Sequence, residues 1–149
     1  MKKFYFITIT FAIYFFTIAN IYAKELNHFN KGLKLFNKKE FEKSKIFFER
    51  DLVFNPKNEE SYLYLAKIFH ENKNDEEEEI NLNKVLLLNP QNDEAIYLLA
   101  VLKIKQSDYE EAKILIEKFN LVCKSFCSKK NEIEKKLKTI TPENEKNNN

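Results

Sequence analysis

Apolar residues recur along this chain every three or four positions with polar residues between them, which is the spacing of helices that bury one face. The stripes predict helix pairs over 25–37 with 40–53, 58–71 with 75–88, and 92–105 with 108–122. A further amphipathic helix follows at 131–140, where Ile133, Leu137 and Ile140 fall among charged residues such as Glu132 and Glu134. One glycine and three prolines in 149 residues leave little turn chemistry for a β-rich fold, so the pattern reads as one all-α domain.

The helices repeat one another. The stretch from Asn55 to Ala66 returns almost intact from Asn89 to Ala100, a shift of 34. Proline cannot continue a helix and restricts the residue before it, so Asn55-Pro56 and Asn89-Pro90 each end one helix and set a rigid turn. Asn58 and Asn92 then serve as N-caps, and Glu59, Glu60, Asp93 and Glu94 place carboxylates in the first turn, where the helix dipole favours them. In this register Gly32, Ala66 and Ala100 align, as do Ser44, Glu78 and Ala112, and Phe48, Leu82 and Ile116. The proline position of the third copy is Lys124.

A helix-turn-helix unit with a period of about 34 is the tetratricopeptide (TPR) spacing. Gly32-Leu33-Lys34-Leu35 and Leu65-Ala66-Lys67-Ile68-Phe69 resemble that family's small-residue segment of helix A, and Asp108-Tyr109-Glu110-Glu111-Ala112 resembles the start of its helix B. The family's usual tryptophan is replaced by His28, Tyr62 and Ile96, and its small helix-B residue by Glu78 in the second copy. The resemblance implies an α-solenoid of about three TPR-type pairs within 24–122, with units 25–58, 59–92 and 93–122. A cysteine-containing turn and capping helix follow at 123–140, because terminal repeats need a polar outer face, and the apolar-free 141–149 reads as a disordered tail.

The resemblance also implies a concave groove lined by helix A: Leu26, Phe29, Leu33 and Phe36, then Leu63, Lys67 and His70, then Tyr97, Val101 and Ile104. Most of these are apolar, so something should sit on them. Two occupants fit: an amphipathic helix or extended peptide of a protein partner, or the chain's own first or C-terminal helix, which would turn the face into core.

The first 23 residues are of another kind. Lys2 and Lys3 precede an apolar run from Phe4 to Ile18, and Ile21-Tyr22-Ala23 offers a cleavage site before Lys24-Glu25, with a cut after Ala19 as a second possibility. This reads as a cleaved export signal and places the chain in a bacterial periplasm. The rival is an uncleaved anchor, since Phe4–Ala23 is long enough to span a bilayer; contact with a membrane would follow only in that case. Lys2 and Lys3 account for the whole excess of 25 basic over 23 acidic residues, so the cleaved chain is neutral and lacks the basic footprint of a nucleic-acid binder.

Little else points to chemistry. With a single glycine no phosphate-cradling loop can be built, no serine, histidine and acid grouping suggests a triad, and the acidic run Asp75–Glu79 lacks the alternating spacing of a calcium loop. It reads instead as a charged first helical turn, and His28 as a packing residue. The expectation is a non-enzymatic protein without a cofactor. Cys123 and Cys127, the only cysteines, favour a disulfide in an oxidising compartment, standing in for the absent third proline. A thiol-redox or copper carrier is the chemical alternative, although no histidine or methionine follows to complete a metal site. The leading expectation is a protein-binding adaptor of the cell envelope; a membrane-anchored or self-associating structural protein is the other alternative.

Overall fold

The computed structural model describes residues 28–140, and among them every regular element is a helix. In chain order these are α1 (28–37), α2 (Phe41–Phe54), α3 (Glu59–Glu71), α4 (Asp75–Leu88), α5 (Asp93–Lys105) and α6 (Tyr109–Val122). A 3-10 turn at Cys127–Lys129 then leads into α7 (Lys130–Ile140). The fold class is the one expected, all-α with TPR-type helix pairs and a C-terminal helix. The export signal, Leu26 and the tail 141–149 lie outside the described residues. Among those described, no helix is long and apolar enough to cross a membrane.

The chain divides inside α3 into two compact units, Met1–Ser61 and Tyr62–Asn149. In the first, α1 meets α2 at Gly32. A Cβ built there would stand 2.9 Å from Cε1 and 3.0 Å from Cδ1 of Phe48, a ring with no exposed surface. The Ser44 hydroxyl donates to the Gly32 carbonyl at 2.7 Å across the same approach. One turn further along, the buried Asp51 carboxylate accepts from Asn58 Nδ2 and Ser61 Oγ, each at 2.6 Å, which fastens the end of α2 to the start of α3. His28 stacks on Phe54 and Phe47, with centroids 5.7 and 6.1 Å away, so it packs as its place on helix A implies.

The second unit builds its core from the same register. Ala66, Ala100 and Ala112 are buried with Leu82, Val85, Ile96, Leu99, Ile116 and Phe119. Asn74, Asn92 and Asp108 cap α4, α5 and α6 by accepting from the N–H groups of Glu77, Ala95 and Glu111.

Each helix A ends in the same way without a glycine. Lys39, Lys73 and Ser107, spaced by 34, adopt φ of 60°, 57° and 64°. The following N–H groups of Glu40, Asn74 and Asp108 reach back to the carbonyls of Leu35, Phe69 and Lys103 at 2.9–3.0 Å, the longer of the two bonds of a Schellman stop. A left-handed residue with a side chain costs roughly 1–2 kcal/mol, so the turn is held by these bonds and the packing around it.

Glu78 departs from the pattern by filling a small-residue position with a carboxyl only 2% exposed. Its oxygens lie 3.0 and 3.1 Å from His70 Nδ1. Burial pushes the Glu78 carboxyl above its ordinary value, and the nearby histidine only partly opposes this.

Gly32→Ala gains about 1 kcal/mol of helix propensity but must displace the sealed Phe48 ring at a cost of about 1–3 kcal/mol, so its thermal midpoint by circular dichroism should fall. Glu78 favours the neutral form in the folded state, so the stability it contributes is present below pH 4.5 and lost as pH rises through its raised folded value. Glu78→Gln should therefore raise the midpoint at about pH 8 more than at about pH 4, and equal shifts at both would contradict the buried-charge account.

Candidate functional site

The helix-A positions are distributed between the two units. On α1, Phe29, Leu33 and Phe36 are half-buried; the Phe29 ring tilts against Phe48 at 5.6 Å and the Phe36 ring against Phe41 at 5.4 Å. The second unit brings Leu63, Lys67, His70, Tyr97, Val101 and Ile104 together on α3 and α5, in three different environments. Leu63, Tyr97 and Ile104 are buried, Val101 is half-buried against the core, and His70 keeps 49% of its side chain exposed.

Lys67 is half-buried and its charge is used within the chain. Its ammonium lies 2.6 Å from Glu94 and 4.7 Å over the Tyr64 ring. Glu94, read from the sequence as a first-turn carboxylate, is thus also a member of this face. Beyond His70 the acidic run does more than serve the dipole. Glu79 accepts from Lys103 Nζ at 2.6 Å and from Gln106 Nε2 at 3.0 Å, and Asp75 accepts from Lys105 at 2.6 Å. These bonds tie the start of α4 to the end of α5.

Tyr97 is covered by the C-terminal helix. Its ring lies 5.9 Å from those of Phe119 and Phe126, and its hydroxyl donates to Glu132 Oε1 on α7 at 3.0 Å. Burial together with that carboxylate pushes the Tyr97 hydroxyl up to about 12. Lys129, Tyr97 and Lys136 gather on Glu132 and hold it down to about 2. The packing beneath α7 is modest. Ile133 is its one fully buried apolar side chain among those described, worth about 1.5–3 kcal/mol, with Leu137 half-buried beside it.

The link into α7 is a short loop gripped by one acid. Asp93 Oδ2 accepts from the consecutive backbone N–H groups of Lys124, Ser125 and Phe126 at 2.7, 2.6 and 2.9 Å. Burial raises this carboxyl, but the amides of Phe126, Lys124, Ser125 and Glu94 outweigh it and hold Asp93 below its ordinary value. Cys123 and Cys127 flank the three amides with Cα atoms 5.2 Å apart and sulfurs in contact, a separation a disulfide spans. A bond there would restrict the unfolded chain by about 2 kcal/mol on the chain-entropy account, comparable with the burial of Ile133.

Sequence reasoning missed Asp93, Glu94 and Glu132 as parts of this face because their partners lie 27 to 35 residues away, beyond any helical spacing signal. Among the described residues no three histidine, cysteine, aspartate or glutamate side chains come together as a metal site. The arrangement as built offers contact surface of mixed character: an apolar side chain at Val101, a neutralised ion pair at Lys67–Glu94 and an accessible imidazole at His70.

No family model and no curated protein matches the chain. Solved structures do. The first TPR of Spaghetti (RPAP3), bound to an HSP90 peptide, aligns with a TM-score of 0.70 at 19% identity over 78% of this chain and 92% of that one. The Yersinia enterocolitica type III secretion chaperone SycD, in complex with a peptide of the translocator YopD, gives 0.70 at 9% identity over 76% and 89%. The Sgt2 TPR domain from Aspergillus fumigatus gives 0.62 at 16% identity over 78% and 76%. At these identities the likeness is one of backbone architecture, and the architecture of this chain is the TPR fold.

Proposed function

We propose that this chain is a non-enzymatic adaptor of the bacterial cell envelope, exported through its N-terminal segment, that holds a peptide or amphipathic helix of a partner protein on the helix-A face of its second unit. The observation that carries the reading is the graded exposure of that face, where His70, Lys67 and Val101 stay within reach while Tyr97 and Ile104 are built into the core. Proteins of the same fold solved with bound peptides support it.

The chemistry of the face narrows the partner. Lys67 spends its charge on Glu94 at 2.6 Å, so no free clamp awaits a charged tail there. A segment with an apolar anchor for Val101 and a hydrogen-bonding group for His70 fits better. An oxidising compartment also suits Cys123 and Cys127, whose contact is that of a disulfide in this reading.

The test is photocrosslinking in the native cell with a probe at His70 and a control probe at Lys113, exposed on α6. One dominant partner protein captured from His70 and absent from Lys113 is the expected result. The same products from both positions, or crosslinks only within the chain, would overturn the assignment of this face.

A further inference from the structure

The C-terminal helix is bonded to Asn120 of α6 through Glu134 and Lys130, and it is fastened to the Tyr97 end of that face by contacts on one short strip of α5. Asp93 grips the loop amides, the Tyr97 ring meets Phe126, and the Tyr97 hydroxyl meets Glu132. Three consecutive N–H groups reach one oxygen only while the loop stays tightly curled, and the two cysteines stand where a bond would keep it so. By contrast α5 carries eight buried residues and does not depend on that loop for its own packing. Among the described elements of the second unit, α7 is therefore the one whose docking a single covalent link could decide.

We propose that the Cys123–Cys127 disulfide is a latch on α7, and that its reduction frees the helix and uncovers the Tyr97 end of the binding face. The disulfide itself, and the use of that face, rest on the adaptor reading of an exported chain. Cys127 is exposed and Cys123 half-buried, so a small dithiol reductant reaches the Cys127 sulfur first. Its thiolate attacks Cys127 Sγ, the S–S bond breaks, and Cys123 leaves as a thiolate that takes up a proton. The reductant's second thiol then attacks the mixed disulfide and releases the Cys127 thiol. Two electrons and two protons pass to the protein, and the reductant departs as its own disulfide. With the link open the three amides no longer hold their common direction, Asp93 loses these three donors, and α7 is kept by Ile133, Leu137, the Tyr97–Glu132 bond and the bonds of Asn120 on α6 with Glu134 and Lys130.

Closing a loop this short restrains the open state about 30-fold on the chain-entropy account, and that is the change to be read. Hydrogen exchange with mass spectrometry on the full chain, before and after treatment with a dithiol, is expected to show exchange over 130–140 accelerating about 30-fold while 93–105 stays protected. The Cys123→Ser/Cys127→Ser double variant should match the reduced protein and ignore reductant. Free thiols in protein isolated without reductant, unchanged exchange on reduction, or equal loss of protection in 93–105 would each overturn the latch; the last would make the bond a staple of the whole unit. No partner enters this measurement, so the latch and the crosslinking test of His70 fail separately.

Discussion

The C-terminal end of the second unit depends on the carboxylate of Asp93. Its Oδ2 receives three backbone N–H groups in a row, and those amides belong to the residues where the regular repeat stops. In the copy before, Asn89-Pro90 made the turn by covalent restriction. In this one Lys124 stands at the proline position, and the turn is made instead by charge-assisted hydrogen bonds donated by the loop amides to a residue at the head of α5. An acid that reads locally as a dipole partner therefore decides where the chain goes more than thirty residues later.

This substitution of one constraint for another explains how far the sequence could be read. The 34-residue echo, the Asn-Pro stops, and the small residues Gly32, Ala66 and Ala100 are local or periodic, and they locate α2 to α6 to within about a residue of their observed ends. The αL stops at Lys39, Lys73 and Ser107 repeat at the same period but were invisible, because none is glycine and the residue type gives no sign of positive φ. The ion pair of Lys67 with Glu94 and the bond of Tyr97 to Glu132 were equally hidden, since each joins residues whose proximity exists only after helices pack.

The two units solve one problem in different chemistry. Asp51, Asn58 and Ser61 make a buried polar clasp in the first, and the aligned positions Val85, Asn92 and Ala95 give the second a cap and an apolar contact. Glu78 is the reverse case, a buried carboxyl where its counterparts are Ser44 and Ala112, reached by the half-exposed ring of His70. The buried carboxyls of Asp51 and Glu78 mark departures from the repeat, and His70, which meets Glu78, lies on the face where binding is proposed. At one end of that face His70 is exposed; at the other Tyr97 is closed over by α7. Asp93 is what divides them, because it sets the course of the chain into that helix.

The claim that one charge holds the loop is most directly tested by following the backbone amide resonances of Lys124, Ser125 and Phe126 by NMR as the pH is lowered. If Asp93 is their common acceptor, all three should move together with one midpoint below the ordinary 3.8 of an aspartate, and Asp93→Asn should abolish the movement. Three unrelated midpoints, or a shared one at or above 3.8, would mean that the loop is held by something else.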